Sequence, residues 1–144
     1  MIILDTNVVS EPSKPQRDLR VLAWLNRQRE GSLFVTAISL AEMYSGIALL
    51  PEGRRKEGLR QTTEEYLIGL GTPLLVFDRQ AALAYAEVVV RAREKKYTLA
   101  IADGFIAAIA KAHGFAVATR DVEPFRAAGV AVINPWEQSS PGSL

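Results

Sequence analysis

Four acidic side chains stand where this sequence could build chemistry. Asp5 closes the apolar run Ile2-Ile3-Leu4, and Asp121 follows Val117-Ala118-Thr119-Arg120. Glu42 lies in Ile38-Ser39-Leu40-Ala41-Glu42-Met43, and Asp103 in Leu99-Ala100-Ile101-Ala102-Asp103-Gly104-Phe105-Ile106. Asp103 is the most informative. A carboxylate in so apolar a stretch needs a cation, a hydrogen bond or a proton. The dipole of a first helical turn supplies only about 0.3–1 kcal/mol at an exposed site. Carboxylates that converge repel one another, and a hard divalent cation turns that repulsion into a site. The chain has no cysteine and one histidine, His113, so the donors are oxygens and the fitting ions are Mg²⁺ or Mn²⁺. Such an ion activates water and clamps a phosphodiester oxygen, which suggests metal-assisted phosphodiester hydrolysis. Each acid also has a plainer reading. Asp5 suits a turn or helix cap, Glu42 a solvated helix face, Asp103 a helix N-terminus, and Asp121 a loop pair with Arg120.

The elements that must position these acids alternate along the chain. Short apolar runs at Ile2–Leu4, Leu33–Val35, Leu74–Phe77, Phe115–Thr119 and Val130–Ile133 read as five strands. Between them, helical patterns run from about 17 to 29, 38 to 50, 54 to 68, 78 to 96 and 100 to 113. Asp78 caps one helix, and His113 before Gly114 suits the end of another. Strands apolar on both faces, alternating with helices, predict a three-layer α/β/α sandwich around a mostly parallel sheet. Ligands collect beyond the carboxyl ends of such strands, where Asp5 and Asp121 fall.

Composition narrows the class. At 144 residues, 49% hydrophobic and 23% charged, the chain is one globular domain, expected over 1–136, with a polar, disordered tail over 137–144. Its net charge of +1 gives no global pull toward nucleic acid or membrane. No secretory signal or spanning segment is evident, so the expected location is the cytoplasm. Two stretches are rich in charge, Arg54-Arg55-Lys56 and Arg91 to Lys96. Arg54, Arg55, Lys56 and Arg60 suit either an RNA backbone or a solvated face with Glu52, Glu57 and Glu64. Glu11 is expected to be exposed or to face a second copy. Trp136 reads as a core or dimer-contact residue.

The segment Ile2-Ile3-Leu4-Asp5-Thr6-Asn7-Val8-Val9-Ser10-Glu11-Pro12 resembles the opening of a PIN domain, and more narrowly of the VapC/FitB toxins of bacterial toxin–antitoxin pairs. Ala37-Ile38-Ser39-Leu40-Ala41-Glu42, Ile101-Ala102-Asp103-Gly104-Phe105-Ile106-Ala107-Ala108 and Val117-Ala118-Thr119-Arg120-Asp121-Val122-Glu123-Pro124-Phe125 resemble the later acidic segments, and Asn134-Pro135-Trp136 the close of the FitB-like branch. The resemblance implies a Mg²⁺/Mn²⁺-dependent ribonuclease inhibited by a small antitoxin with a DNA-binding domain. It implies Asp5, Glu42, Asp103 and Asp121 as the catalytic and metal-binding quartet, with Thr6, Asn7 and Thr119 supporting it. Many family members carry asparagine at the position of Asp121 and an acid slightly later, so Glu123 competes for the fourth place. The family also implies a homodimer, for which Trp24, Tyr44 and Leu49 are the candidate contacts. The alternative is an antitoxin-binding module of the same fold, with little nuclease activity, that modulates DNA binding by its partner.

Overall fold

The computed structural model describes residues 1–138. Four parallel strands form the sheet: β1 (Ile2–Leu4), β2 (Leu33–Phe34), β3 (Ala116–Ala118) and β4 (Val132–Ile133), in the order β2-β1-β3-β4. Seven helices flank it: α1 (Thr6–Ser10), α2 (Leu19–Arg27), α3 (Ala37–Ala48), α4 (Arg54–Leu70), α5 (Arg79–Glu94), α6 (Ile101–His113) and α7 (Val122–Ala127). The α/β sandwich expected from the alternating pattern is therefore present.

The all-apolar run Ile2–Leu4 occupies a central strand, as continuous hydrophobicity demands. Successive side chains on a strand point to opposite faces. Ile3 and Val117 pack with Val88, Ile106 and Phe125 in one core. Leu4 and Ala118 pack with Val8, Val21, Trp24 and Trp136 in the other. Complete burial of a side chain such as Ile3 or Leu4 contributes about 1.5–3 kcal/mol.

Several expectations need correction. Leu74–Phe77 is not a strand: Leu75 makes an isolated parallel bridge to Thr36. Its N–H donates to the Val35 carbonyl at 3.0 Å and its carbonyl accepts from the Ala37 N–H at 2.7 Å. Thr36 caps α3 through Ser39 N–H, so the neighbouring chain turns into a helix before a ladder can lengthen. Trp24 is buried in the core and is not free for a dimer contact. Glu11 is 3% exposed, because the 3₁₀ turn Glu11–Ser13 folds its carboxylate inward to accept the Asp18 N–H at 2.9 Å. Trp136, expected in the core or at a dimer contact, lies in the core as read. The tail expected at 137–144 begins with Glu137 inside a 3₁₀ turn, and its residues 139–144 lie outside the described residues.

Candidate active site

The register of the central strands builds the site. Ile3 pairs with Val117 and Leu4 with Ala118, which brings Asp5 and Thr119 side by side one step past the ladder. The backbone holds both: Asp5 N–H donates to Ala118 carbonyl and Thr119 N–H to Ile133 carbonyl, each at 2.9 Å. Thr119 Oγ1 then donates to Asp5 Oδ2 at 2.8 Å, although 114 residues separate them in the chain.

Thr119 is a hub with every position used. Its one hydroxyl proton serves Asp5, while its oxygen accepts from Asp121 N–H at 3.0 Å and from Asn7 Nδ2 at 3.4 Å. Asn7 Oδ1 in turn accepts the Arg120 N–H at 3.2 Å, which fixes the amide by both ends. Thr6 bridges outward: its N–H donates to Asp5 Oδ1 at 2.8 Å and its hydroxyl donates to Glu42 Oε1 at 3.1 Å. Thr6, Asn7 and Thr119 thus tie together the segments that carry Asp5, Glu42 and Asp121.

The four acids are held very differently. Asp5 is buried and doubly hydrogen-bonded. Asp103 sits on the first turn of α6, half-buried, and accepts no hydrogen bond among the described residues. Glu42 and Asp121 are exposed. Burial is the main reason the Asp103 carboxyl is pushed up to about 6, with the charges of Asp5, Asp121 and Glu42 adding to it. Burial also raises Asp5 above the usual carboxylate range, against the lowering effect of its bonds from Thr119 and Thr6. Glu42 and Asp121 raise Asp5 further, so these four carboxylates act on one another. Among the described residues none of the four has a lysine or arginine within ion-pair distance.

Glu123, the competitor for the fourth place, is exposed and paired with Arg126 at 3.3 Å. It does not figure among the charges acting on Asp5 or Asp103, whereas Asp121 acts on both. Among the described residues no three acidic or histidine side chains close around one point as a ready-made metal shell. The quartet is an acidic crevice rather than an assembled coordination sphere.

A family model described as PIN domain matches residues 2–130. The chain belongs to the PIN-domain family. Among its relatives is a VapC ribonuclease of Sinorhizobium fredii, 46% identical over 95% of this chain and 99% of that protein. Another is the toxin FitB of Neisseria gonorrhoeae, 44% identical over 94% of this chain and 99% of its own length. A crystal structure of FitAcB from Neisseria gonorrhoeae superposes with a TM-score of 0.89 at 44% identity, covering 96% of this chain and 100% of that one.

Two further features of this PIN domain surround the crevice. A groove of about 290 Å³ opens beside Thr6 and Glu42, walled by Met43 and Ile47 of α3 and by Arg55 and Leu59 of α4. Arg120 stacks over the Trp136 ring, 5.3 Å from its centroid, on the segment between Thr119 and Asp121. The sequence motif around Arg120 was legible without revealing that contact. Tyr97, whose phenol is raised by burial and then by Asp121, Asp103 and Glu123, carries no sequence signal at all.

Proposed function

We propose that this PIN domain is the toxin of a toxin–antitoxin pair and a metal-dependent ribonuclease. The observation that carries the reading is the unpaired carboxylate Asp103, pushed up to about 6 beside three further acids. The names of the relatives, a VapC ribonuclease and a FitB toxin, support it.

An all-oxygen donor set with uncompensated charge fits Mg²⁺ or Mn²⁺. Asp5 and Asp103 would hold the ion, with Glu42 and Asp121 at the rim. Since no three acids converge directly, water would complete the shell of such an ion, as Mg²⁺ commonly requires. When bound, the ion supplies a water of lowered pKa and neutralises charge developing on the phosphoryl oxygens. The chain's own contribution is positioning. Thr119 and the Thr6 N–H fix both oxygens of Asp5, and Thr6 tethers Glu42. Below about pH 6 the metal-free Asp103 carboxyl holds a proton, which it would have to release to ligate a cation.

The partner that fits is a small antitoxin protein. Its arginine fork matches the carboxylates, and an apolar segment suits the groove between α3 and α4. A homodimer remains part of the reading: Tyr44 on α3, partly exposed, and Leu49 just past its end, 86% exposed, are the candidates. The cytoplasm, where RNA is at hand, is the compartment this activity requires.

The test is cleavage of single-stranded RNA by the partner-free chain. We expect cutting with Mg²⁺ or Mn²⁺, none in EDTA, and at least a hundredfold loss in Asp5→Asn and Asp103→Asn. A chain that cuts as well in EDTA overturns the metal assignment. The alternative is the antitoxin-binding module that modulates DNA binding. RNA left intact under all metal conditions, by a chain that still binds its antitoxin, selects it.

A further inference from the structure

We propose that the pocket between the end of α5 and the turn into α6 is a subsite for one nucleotide of single-stranded RNA flanking the bond to be cut. Arg93 and Lys96 meet its phosphate, and Tyr97 meets its base. The inference rests on the ribonuclease reading and locates where the substrate is gripped.

The pocket measures about 380 Å³ and is lined by Tyr85, Ala92, Arg93, Lys96, Tyr97 and Leu99 among others. That is within the size range of small-ligand sites. It shares a wall with the acidic crevice. A Cβ placed on Gly104 would come within 2.9 Å of Tyr85 Cε2 and 3.3 Å of Leu99 Cδ2. Both pocket residues therefore lie flush against the first turn of α6, beside Asp103. Tyr97 is close enough to Asp121 and Asp103 for their charges to act on its phenol.

The cations are available. Among the described residues neither Arg93 nor Lys96 has a carboxylate within ion-pair distance. Their neighbour Lys95 instead donates to the Arg126 carbonyl at 3.0 Å. In the other charge-rich stretch, Lys56 is held by Glu52 at 2.6 Å. Lys96 also adopts φ 57, the only left-handed non-glycine backbone among the described residues. The turn is closed by Tyr97 N–H donating to the Ala92 carbonyl at 2.9 Å. With Lys96 N–H donating to the Arg93 carbonyl at 2.9 Å, this is the left-handed cap that ends many helices, and it turns Tyr97 back toward α5.

The chemistry requires such a neighbour. Four carboxylates repel an RNA backbone, and a net charge of +1 spread over the chain does not offset them locally. Two unpaired cations and an aromatic ring beside the crevice combine backbone attraction with base stacking, the pairing used for single strands without a sequence code.

The experiment measures affinity of the full chain for a short single-stranded RNA in EDTA, across a salt series, alongside cleavage kinetics in Mg²⁺. The variants are Arg93→Gln with Lys96→Asn, since asparagine tolerates the left-handed backbone. Arg93→Lys serves as the conservative variant, Tyr97→Leu removes the ring, and Arg54→Gln on α4 is the control. We expect the double variant to raise the RNA Kd about tenfold at low salt and to flatten the salt slope by about 0.7, the value for the one phosphate no longer neutralised. Its KM should rise by more than its kcat falls. Arg93→Lys should retain most of the affinity, and Tyr97→Leu should raise Kd about fivefold or more. Unchanged Kd and slope in the double variant overturn the subsite, as does an equal loss in Arg54→Gln. A shift in oligomeric state by light scattering would make this face a contact between copies and also overturn it. If the unaltered chain neither binds nor cuts RNA, the ribonuclease reading falls with it; if it cuts and the double variant matches it, only the subsite falls.

Discussion

Asp5 and Asp103 act on each other electrostatically, yet the fold treats them in opposite ways. Asp5 ends the central strand, is 6% exposed, and has both oxygens bonded, to Thr119 Oγ1 and to the Thr6 N–H. Asp103 rides the first turn of α6, half-buried, with no hydrogen bond among the described residues. The first acid is part of the scaffold, and its geometry is set before any ligand arrives. The second is where uncompensated charge accumulates. A site built this way separates rigidity from responsiveness.

The sharpest way to break the contrast is Thr119→Val. It keeps the shape and removes the hydroxyl that donates to Asp5 and accepts from Asp121 N–H and Asn7. Leaving buried polar groups unpaired costs about 1–3 kcal/mol each, so a loss of about 2–4 kcal/mol is expected in urea unfolding. A loss below about 0.5 kcal/mol, the ordinary surface range, would show that the hub does not hold the site.

Next in size is the response to metal. At a Mn²⁺ concentration about a hundred times its Kd, the unaltered chain should gain about 2.7 kcal/mol in thermal or urea unfolding. Asp103→Asn should gain clearly less at the same concentration. Equal gains would place the ion elsewhere.

Without metal, Asp103→Asn should be more stable than the parent near neutral pH, by about 1 kcal/mol once solvent screening is allowed for. The pH dependence follows from the sign of the shift. Folding lifts this carboxyl from an unfolded value of 3.8 to about 6, so the fold favours its protonated form. That contribution is complete below about pH 4 and disappears as pH rises to about 6. The advantage of Asp103→Asn over the parent should therefore grow across that window in EDTA, as read by melting temperature. A variant that melts lower throughout would mean that Asp103 makes a stabilising bond.

The smallest effect distinguishes Asp121 from Glu123. Glu123→Gln breaks only an exposed pair with Arg126, so stability should change by less than about 0.5 kcal/mol and RNA cleavage should persist. Asp121→Asn should lose cleavage. The reverse pattern would hand the fourth place to Glu123.

Much of the fold was legible because it is carried by continuous local patterns. Ile2–Leu4 is apolar at every position and sits mid-sheet; α6 ends at Gly114, whose φ is 71, where the sequence placed its stop. Leu74–Phe77 looked equally strand-like and fails for a non-local reason, the early turn of residue 37 into α3. The burial of Glu11 was hidden as well: the nearby Lys14, which pairs with Oε2 at 3.0 Å, reads as an ordinary surface pair, and the Asp18 N–H that holds Oε1 is a backbone donor with no charge pattern to announce it. At the site, the acids were readable as residue types near strand and helix ends. The Thr119 hub, the Gly104 contact and the place of Tyr97 depend on register and packing, which spacing along the chain does not encode.

The bond from Thr119 to Asp5 spans 114 residues, and the central strand β1 draws its neighbour β3 from equally far along the chain. During synthesis, Asp5 leaves the ribosome long before the segment that will hold it. Until residues 116–119 emerge, β1 has no β3 to pair with and Asp5 has no Thr119 to orient it. Long-range closure of this kind is slow relative to helix formation. The acidic crevice is therefore completed late in the life of the nascent chain, and a product cut short just before β3 would carry three of the four acids, Asp5, Glu42 and Asp103, without Thr119 to hold the first of them.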